Sequence, residues 1–456
     1  MHNPASKASR VLGFAHALRH RSYRLFFAGQ IVSLAGSELT RFATVWMVYR
    51  LTKSPVMLGL IGFFGQAPSA ALAPMAGVLV DRWNRRRTVI VTQVAAMLQA
   101  AALAFFALTG RMTVWHLLAL GTVQAVVNAF DTVARQSFLA EMLDDPSDLP
   151  NAVALNSLMK NAARMVGPMA AAGLVGFVGE GWCFTVDSLS TVAVIAALVA
   201  MRVTPRAIRR RATGGLQEMK EGLAYVAEHP ILRAVLLLFT STSLLAGSYA
   251  ALLPLVAGGT LHGGPHTLGV LLGAAGCGAL TGALVLAKRT SQEARRQDEE
   301  ARRGNASAPA TPVSLRRPLV ATIGLGFAFV LLELARSTLV AAPLLFVVGG
   351  CLMVVSASTS TLVQTTVDAD KRGRVTSLWA VGFFAGAPIG ALIEGWIAKA
   401  VGPVNMFAVA GVGCLASALV FARSIRLLSG PLVEEVPSPD ADVFREPDVP
   451  DIFREP

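Results

Sequence analysis

The chain has 456 residues, of which 54% are hydrophobic and only 15% charged, with a mean hydropathy of +0.57. Soluble domains carry about 25% charged residues, so a water-soluble globular fold is excluded and a bilayer is the natural solvent. The net charge of +12 is spread over segments between long apolar runs, which excludes a nucleic-acid-binding face and fits basic loops at one membrane surface.

Residues 1–23 carry Lys7, Arg10, Arg19 and Arg21 without a cleavable signal pattern, and are read as a cytoplasmic N-terminus. The first apolar run, 25–49, is too long for a signal core and reads as a retained span. A helical span needs roughly 20 apolar residues. Runs at 25–49, 56–80, 88–108, 114–137, 152–178 and 183–201 predict six helices, forming an N-terminal bundle over 24–201. Runs at 231–257, 267–287, 318–335, 338–366, 376–399 and 404–424 predict six more, over 231–425. The expected fold is all-α, with twelve transmembrane helices in two pseudo-symmetric six-helix bundles. An N-in start puts the Arg-rich segments 82–87, 202–211, 288–317 and 371–374 in the cytoplasm, together with both termini. The setting that follows is a cell (inner) membrane.

Between the second and third runs lies Gly77-Val-Leu-Val-Asp81-Arg82-Trp-Asn-Arg85-Arg86-Arg87. Burying its Asp and Arg side chains in hydrocarbon would cost about 2.5–3.5 kcal/mol each, so it must be a short surface loop. Linker 202–230 contains Leu216, Met219, Leu223 and Val226 at helical spacing, which predicts an amphipathic helix on the inner membrane surface. Residues 288–317 are expected to be a disordered cytoplasmic loop and 426–456 a disordered, acidic cytoplasmic tail carrying a small repeat, Asp442–Pro447 and Asp451–Pro456.

The halves echo one another in the same order. Leu34-Ala-Gly36-Ser37-Glu38 matches Leu245-Ala-Gly247-Ser248-Tyr249, Gly77-Val-Leu-Val matches Gly282-Ala-Leu-Val, and Gly167-Pro168 matches Ala387-Pro388. Such a duplication places a substrate site near the midplane, between the halves.

Ionisable groups within spans are the candidates for chemistry. Glu38 and Arg41 share a face at i, i+3, and Asp131 and Arg135 do so at i, i+4. Lys160, Asn161 and Arg164 form a polar stripe in the fifth run, and Tyr249 takes the place of Glu38 in the second half. Glu38 and Asp131 are proton-coupling candidates; Arg41, Arg135, Lys160, Asn161, Arg164 and Tyr249 are substrate or cavity candidates. Glu38 also reads as a substrate contact or as a static partner of Arg41. Asp187 and Glu394 read as gate or interface residues near the outer ends. Gly269, Gly273, Gly278 and Gly282 read as helix-packing residues. The four cysteines lie at or inside apolar runs without CxxC spacing, so neither a zinc site nor a disulfide framework is expected. The absence of a Gly-Lys-Ser/Thr phosphate loop argues against direct drive by ATP, and no catalytic motif suggests an enzyme.

The 77–87 loop resembles the pattern between helices two and three of the major facilitator superfamily, with Asn84 where a Gly is usual. Leu18–Phe26, Asn128–Gln136, Leu149–Ser157, Asn161–Pro168 and Gly373–Ser377 are similar to its branch of enterobactin exporters and macrolide efflux proteins. The resemblance implies that Gly77, Asp81, Arg82, Arg85 and Arg86 form a cytoplasmic latch. Asp81 would lie near helix N-termini, and Arg85 and Arg86 would pair with Glu141 or Asp131. Gly167, Pro168 and Pro388 would be hinges. Where many drug–proton antiporters of that family carry an Arg three residues before Gln124, this chain has Gly121. The expected function is proton-coupled export of a small molecule (a siderophore, a macrolide or another amphipathic compound) by alternating access. No cofactor is expected; the proton gradient would supply the energy, the lipid bilayer and a small-molecule substrate would be the partners, and the protein would act as a monomer. A nutrient importer, a lysophospholipid transporter and a membrane sensor are the alternatives.

Overall fold

A computed structural model describes residues 16–139, 141–143, 145–201, 215–302, 315–368 and 371–428. Among these there is no strand. The N-terminal half contains α1 (Arg21–Thr52), α2 (Pro55–Phe64), α3 (Ala67–Val80), α4 (Arg85–Leu108), α5 (Val114–Leu139), α6 (Leu149–Val178) and α7 (Glu180–Ala200). A linking helix α8 (Gly215–Glu228) follows. The C-terminal half contains α9 (Pro230–Ala246), α10 (Tyr249–Leu255), α11 (Pro265–Arg302), α12 (Arg316–Leu332), α13 (Thr338–Thr366), α14 (Arg372–Val401) and α15 (Pro403–Leu428). The linker's basic run 202–211, the 303–314 part of the expected loop and the tail with its repeat lie outside the described residues.

Nine helical segments among the described residues are long and apolar enough to cross a membrane. The other three expected spans are helical as α1, α6 and α12, but polar or short. The first two carry the intramembrane charges, and α12 has 17 residues and begins on Arg316 and Arg317. Two expected spans are broken. The run 56–80 divides at Gly65-Gln66, just before Pro68, and 231–257 divides at Gly247-Ser248, followed by Pro254. Glycine weakens a helix and proline removes a donor, so these sites break the ladder.

Two expectations about surface segments need correction. Residues 288–302 are not a disordered loop but the continuation of α11, in a stretch rich in Ala, Glu, Gln and Arg, all good helix formers. The N-terminal segment is packed from residue 16 onward. A 3₁₀ turn at His16–Arg19 docks on the start of α6, with the Ala17 amide donating to Asn151 Oδ1 at 3.0 Å. Helix α8 forms where expected, but Tyr225 and Val226 are buried against the C-terminal half while Leu223 is exposed. The Tyr225 hydroxyl donates to Asp368 Oδ2 at 2.9 Å and Glu221 pairs with Arg374 at 2.8 Å, so this helix is bolted to the start of α14.

The docked segment makes a pH-dependent contact. Asp148, 8% exposed at its side chain, meets His20 Nε2 at 2.8 Å and His16 Nδ1 at 2.6 Å. These hydrogen bonds, His20's first, hold its carboxyl below the usual carboxylate range. A depressed folded-state value adds stability above the usual range that is lost as acid reaches the folded-state value. Asp148→Asn should therefore speed amide exchange at Ala17 at neutral pH, as strong acid does in the parent protein. Equal protection in the variant would show that the histidines contribute nothing to docking.

The repeat is visible in the packing. In the first half Gly167 of α6 abuts the Glu38 side chain of α1, where an added Cβ would collide with Glu38 Cβ. In the second half Gly247 abuts Ala387 of α14, and the Ser248 hydroxyl donates to the Ala387 carbonyl. Small residues permit this close helix approach. The glycines of α11 act likewise: Gly269 and Gly273 face α6, and Gly278 and Gly282 face α13.

The core shows how the halves meet. At the end bearing Arg82–Arg87, here the basic end, each half has its own apolar core. One is built on Tyr23, Phe26, Val89 and Phe138, the other on Leu232, Val363 and Phe421. At the opposite end a single core runs through both halves, from Phe42 and Trp46 to Leu253, Phe329 and Phe407.

Candidate functional site

Helix α1 presents Glu38 inward, 8% exposed, with Oε1 3.7 Å from Arg41 Nη1. The Arg41 side chain is 64% exposed. Arg164, three residues before the glycine that packs on Glu38, lies within electrostatic range of both, and Lys160 lies within range of Arg164, Arg135 and Asp131. Five of the expected charged residues and Lys160 thus form one line across α1, α5 and α6. Lys160, Asn161 and Arg164 are exposed, and Asn161 turns its amide to its own helix at Ser157 O, 2.9 Å away. Tyr249 does not join this line. Its ring lies 6.2 Å from Phe329 and packs on the shared core, because the break at Gly247-Ser248 turns it there.

Asp131 is the centre of a fully connected node. Its Oδ2 accepts from Arg135 Nε at 3.0 Å and Nη2 at 2.7 Å. Its Oδ1 accepts from Thr92 Oγ1 at 2.8 Å and Gln93 Nε2 at 2.9 Å. Arg135 also donates to Gln30 Oε1 and sits 5.7 Å from the Phe26 ring centroid. Spacing along α5 revealed the pair; the four partners on α1 and α4 were invisible in the sequence.

Within the 77–87 segment only Asp81–Asn84 form a short loop; Gly77–Val80 end α3 and Arg85–Arg87 open α4. Arg85 Nη1 meets Glu141 Oε1 at 2.6 Å. Among the described residues Arg86 pairs with no acid: it donates to the carbonyls of Leu198 and Val199, both at 2.9 Å, and so caps the end of α7. The exposed Asp81 is not at a helix N-terminus but at the C-cap of α3, while Asn84 caps α4 by accepting from the Arg87 amide at 3.0 Å. Arg82 is exposed beside it. Asp81 has no ion pair among the described residues, so Asp81→Asn should insert normally yet slow turnover, through the conformation in which the loop closes. Unimpaired transport at matched expression would remove Asp81 from the cycle.

Closure is one-sided. At the end opposite the basic loops, α2 and α14 touch through backbone: a Cβ at Gly59 would meet Ala391 O at 2.5 Å and Gly395 Cα at 3.1 Å. Helices α6 and α11 meet there too, with Gly176 against the His266 ring and Phe177 6.2 Å from it. At the basic end, by contrast, the two halves keep separate apolar cores. The halves therefore form a cleft that opens at the basic end and is sealed at the other. Pro168 and Pro388 are buried within α6 and α14.

A helical duplication with a cleft between its halves is a transporter architecture, and the family comparisons agree. The family described as "Transmembrane secretion effector" matches residues 13–298, and "Major Facilitator Superfamily" matches 307–456. The chain belongs to the major facilitator superfamily. It is a multi-pass membrane transporter, not an enzyme. It is 24% identical to macrolide efflux protein A of Streptococcus pyogenes, over 59% of this chain and 67% of that protein. It is 22% identical to the enterobactin exporter of Citrobacter koseri, over 90% of this chain and 92% of that one. Its fold matches a bacterial homolog of the human lysosomal transporter Spinster, solved inward-facing and unoccupied, with a TM-score of 0.65 at 15% identity, covering 89% and 95% of the two chains.

One buried acid, Asp187, was placed too near the outer end by sequence alone, whereas Glu394 does lie toward the sealed end. Asp187 of α7 lies beside Gly36, midway along α1, and its Oδ1 accepts from Ser37 Oγ at 3.3 Å. The small residues of the Ala35-Gly36-Ser37 stretch were the available signal. Glu394 is buried on α14 beside the α2 contact, and no sequence signal marked its surroundings.

Proposed function

We propose that this transporter is a proton-coupled exporter working by alternating access, with its basic end in the cytoplasm of a cell (inner) membrane. The observation that carries this reading is the line of Lys160, Arg164 and Arg41 beside the buried Glu38, in a cleft open at the basic end. An excess of cations in a low-dielectric cleft favours an anionic or zwitterionic amphipathic solute, such as a siderophore. Glu38 is the better proton carrier of the two candidates, because Asp131 is tied by four protein donors. The similarity to a macrolide efflux protein and an enterobactin exporter supports export as the direction. The proton gradient supplies the energy, no cofactor takes part, and the working unit is a monomer in the bilayer.

The test is intracellular accumulation of macrolides, dyes and siderophores in efflux-deficient bacteria with and without the protein. Lower accumulation of an anionic or zwitterionic compound is the expected result. Unchanged accumulation of the whole panel would overturn export and bring import forward.

A further inference from the structure

Glu394 lies on α14 at 4% exposure, and neither carboxyl oxygen has a hydrogen-bond partner among the described residues. It sits between Ala391 and Gly395, the two residues that touch Gly59 across the seal; a Cβ at Gly395 would meet Pro55 O at 2.9 Å. Helix α14 packs against α2, α3, α8, α9, α10, α13 and α15. Helices α2, α3 and α13 contain no Asp, Glu, Lys, Arg or His. Arg233 of α9, Arg423 and Arg426 of α15, and the charges of α8 are at the basic end, far along their helices. Tyr249 is the titratable group of α10, Cys351 is that of α13, and Cys414 of α15 is in electrostatic range of Glu394. On α14 itself, Arg372 and Arg374 lie at the basic end and Lys399 sits 5.4 Å from the Trp396 ring centroid. Among the described residues no cation faces the carboxyl and no donor hydrogen-bonds to it, so a charge there would be buried without compensation. The neutral acid is the form that fits this packing.

We propose that Glu394 is a proton-binding site of the C-terminal half, holding its proton while α2 and α14 are in contact and releasing it when they part. On parting, the O–H bond breaks, the proton passes to water at that face, and a hydrated carboxylate remains. Proton occupancy is thereby linked to closure of the end opposite the basic loops. This rests on the alternating-access reading but not on export, Glu38 or any substrate.

The test places a pair of distance probes at the exposed Arg111 and Arg336, by a coupling chemistry that leaves the native cysteines intact, on the protein in lipid nanodiscs without substrate. In the parent protein the distance distribution should shift toward longer values as pH rises. Glu394→Gln keeps the volume but cannot ionise, and should stay short at every pH; Glu394→Ala should also lose the response, should Gln pack poorly. A parent protein that ignores pH, or a Gln variant that follows the parent's profile, would overturn the proposal. The measurement needs no solute or gradient, so its failure is distinct from failure of the accumulation assay.

Discussion

Glu38→Gln is expected to cut proton-driven efflux sharply at an unchanged protein level. Gln keeps the side-chain length and the contact with Gly167 but cannot exchange a proton. Stability should barely move, because the Arg41 side chain left behind is 64% exposed and stays hydrated. Coupling between linked sites is typically 1–3 kcal/mol, so efflux should fall by about 5- to 150-fold. The measurement is solute-induced proton movement in proteoliposomes, alongside accumulation in cells. Efflux at the parent rate, with normal proton movement, would assign Glu38 to helix packing and leave the coupling group elsewhere.

Asp131→Ala should have the largest effect on stability. Asp131 and Arg135 are each 14% exposed at their side chains, and the node joins α1, α4 and α5. Removing the carboxylate takes the acceptor from Gln93 and leaves Arg135 only Gln30 and Thr92 only the Val89 carbonyl. Breaking a buried pair on one side costs about 3–5 kcal/mol, because a charge remains without compensation. Thermal unfolding in detergent should show this loss, and Asp131→Ala combined with Arg135→Met should recover part of it by removing the stranded charge. A loss within about 0.5 kcal/mol, the range of a surface substitution, would mean that the node does not hold the three helices together.

These two sites differ in how far the sequence revealed them. Spacing alone paired Glu38 with Arg41 and Asp131 with Arg135, since i+3 and i+4 neighbours follow from helical pitch. Charge density alone required a loop at 81–87, because a bilayer cannot hold it. Arg85 was matched to an acceptable partner, Glu141, yet Arg86 went to two carbonyls and Asp81 to a helix C-cap. Tyr249 aligned with Glu38 but turned into the core, because the chain breaks at Gly247-Ser248 just before it.

The sequence by itself determined the membrane class, the α-helical elements, the duplicated halves and the residues able to carry charge within the bundle. Each of these depends on composition or on spacing along one helix. Only the tertiary structure decided which charges form one line, which acid is held by four donors and which by none, and which end of the cleft is sealed. Those outcomes depend on the rotation, tilt and approach of helices distant in sequence. Small residues such as Gly59, Gly167 and Gly395 set that approach through contacts that no single-helix period encodes.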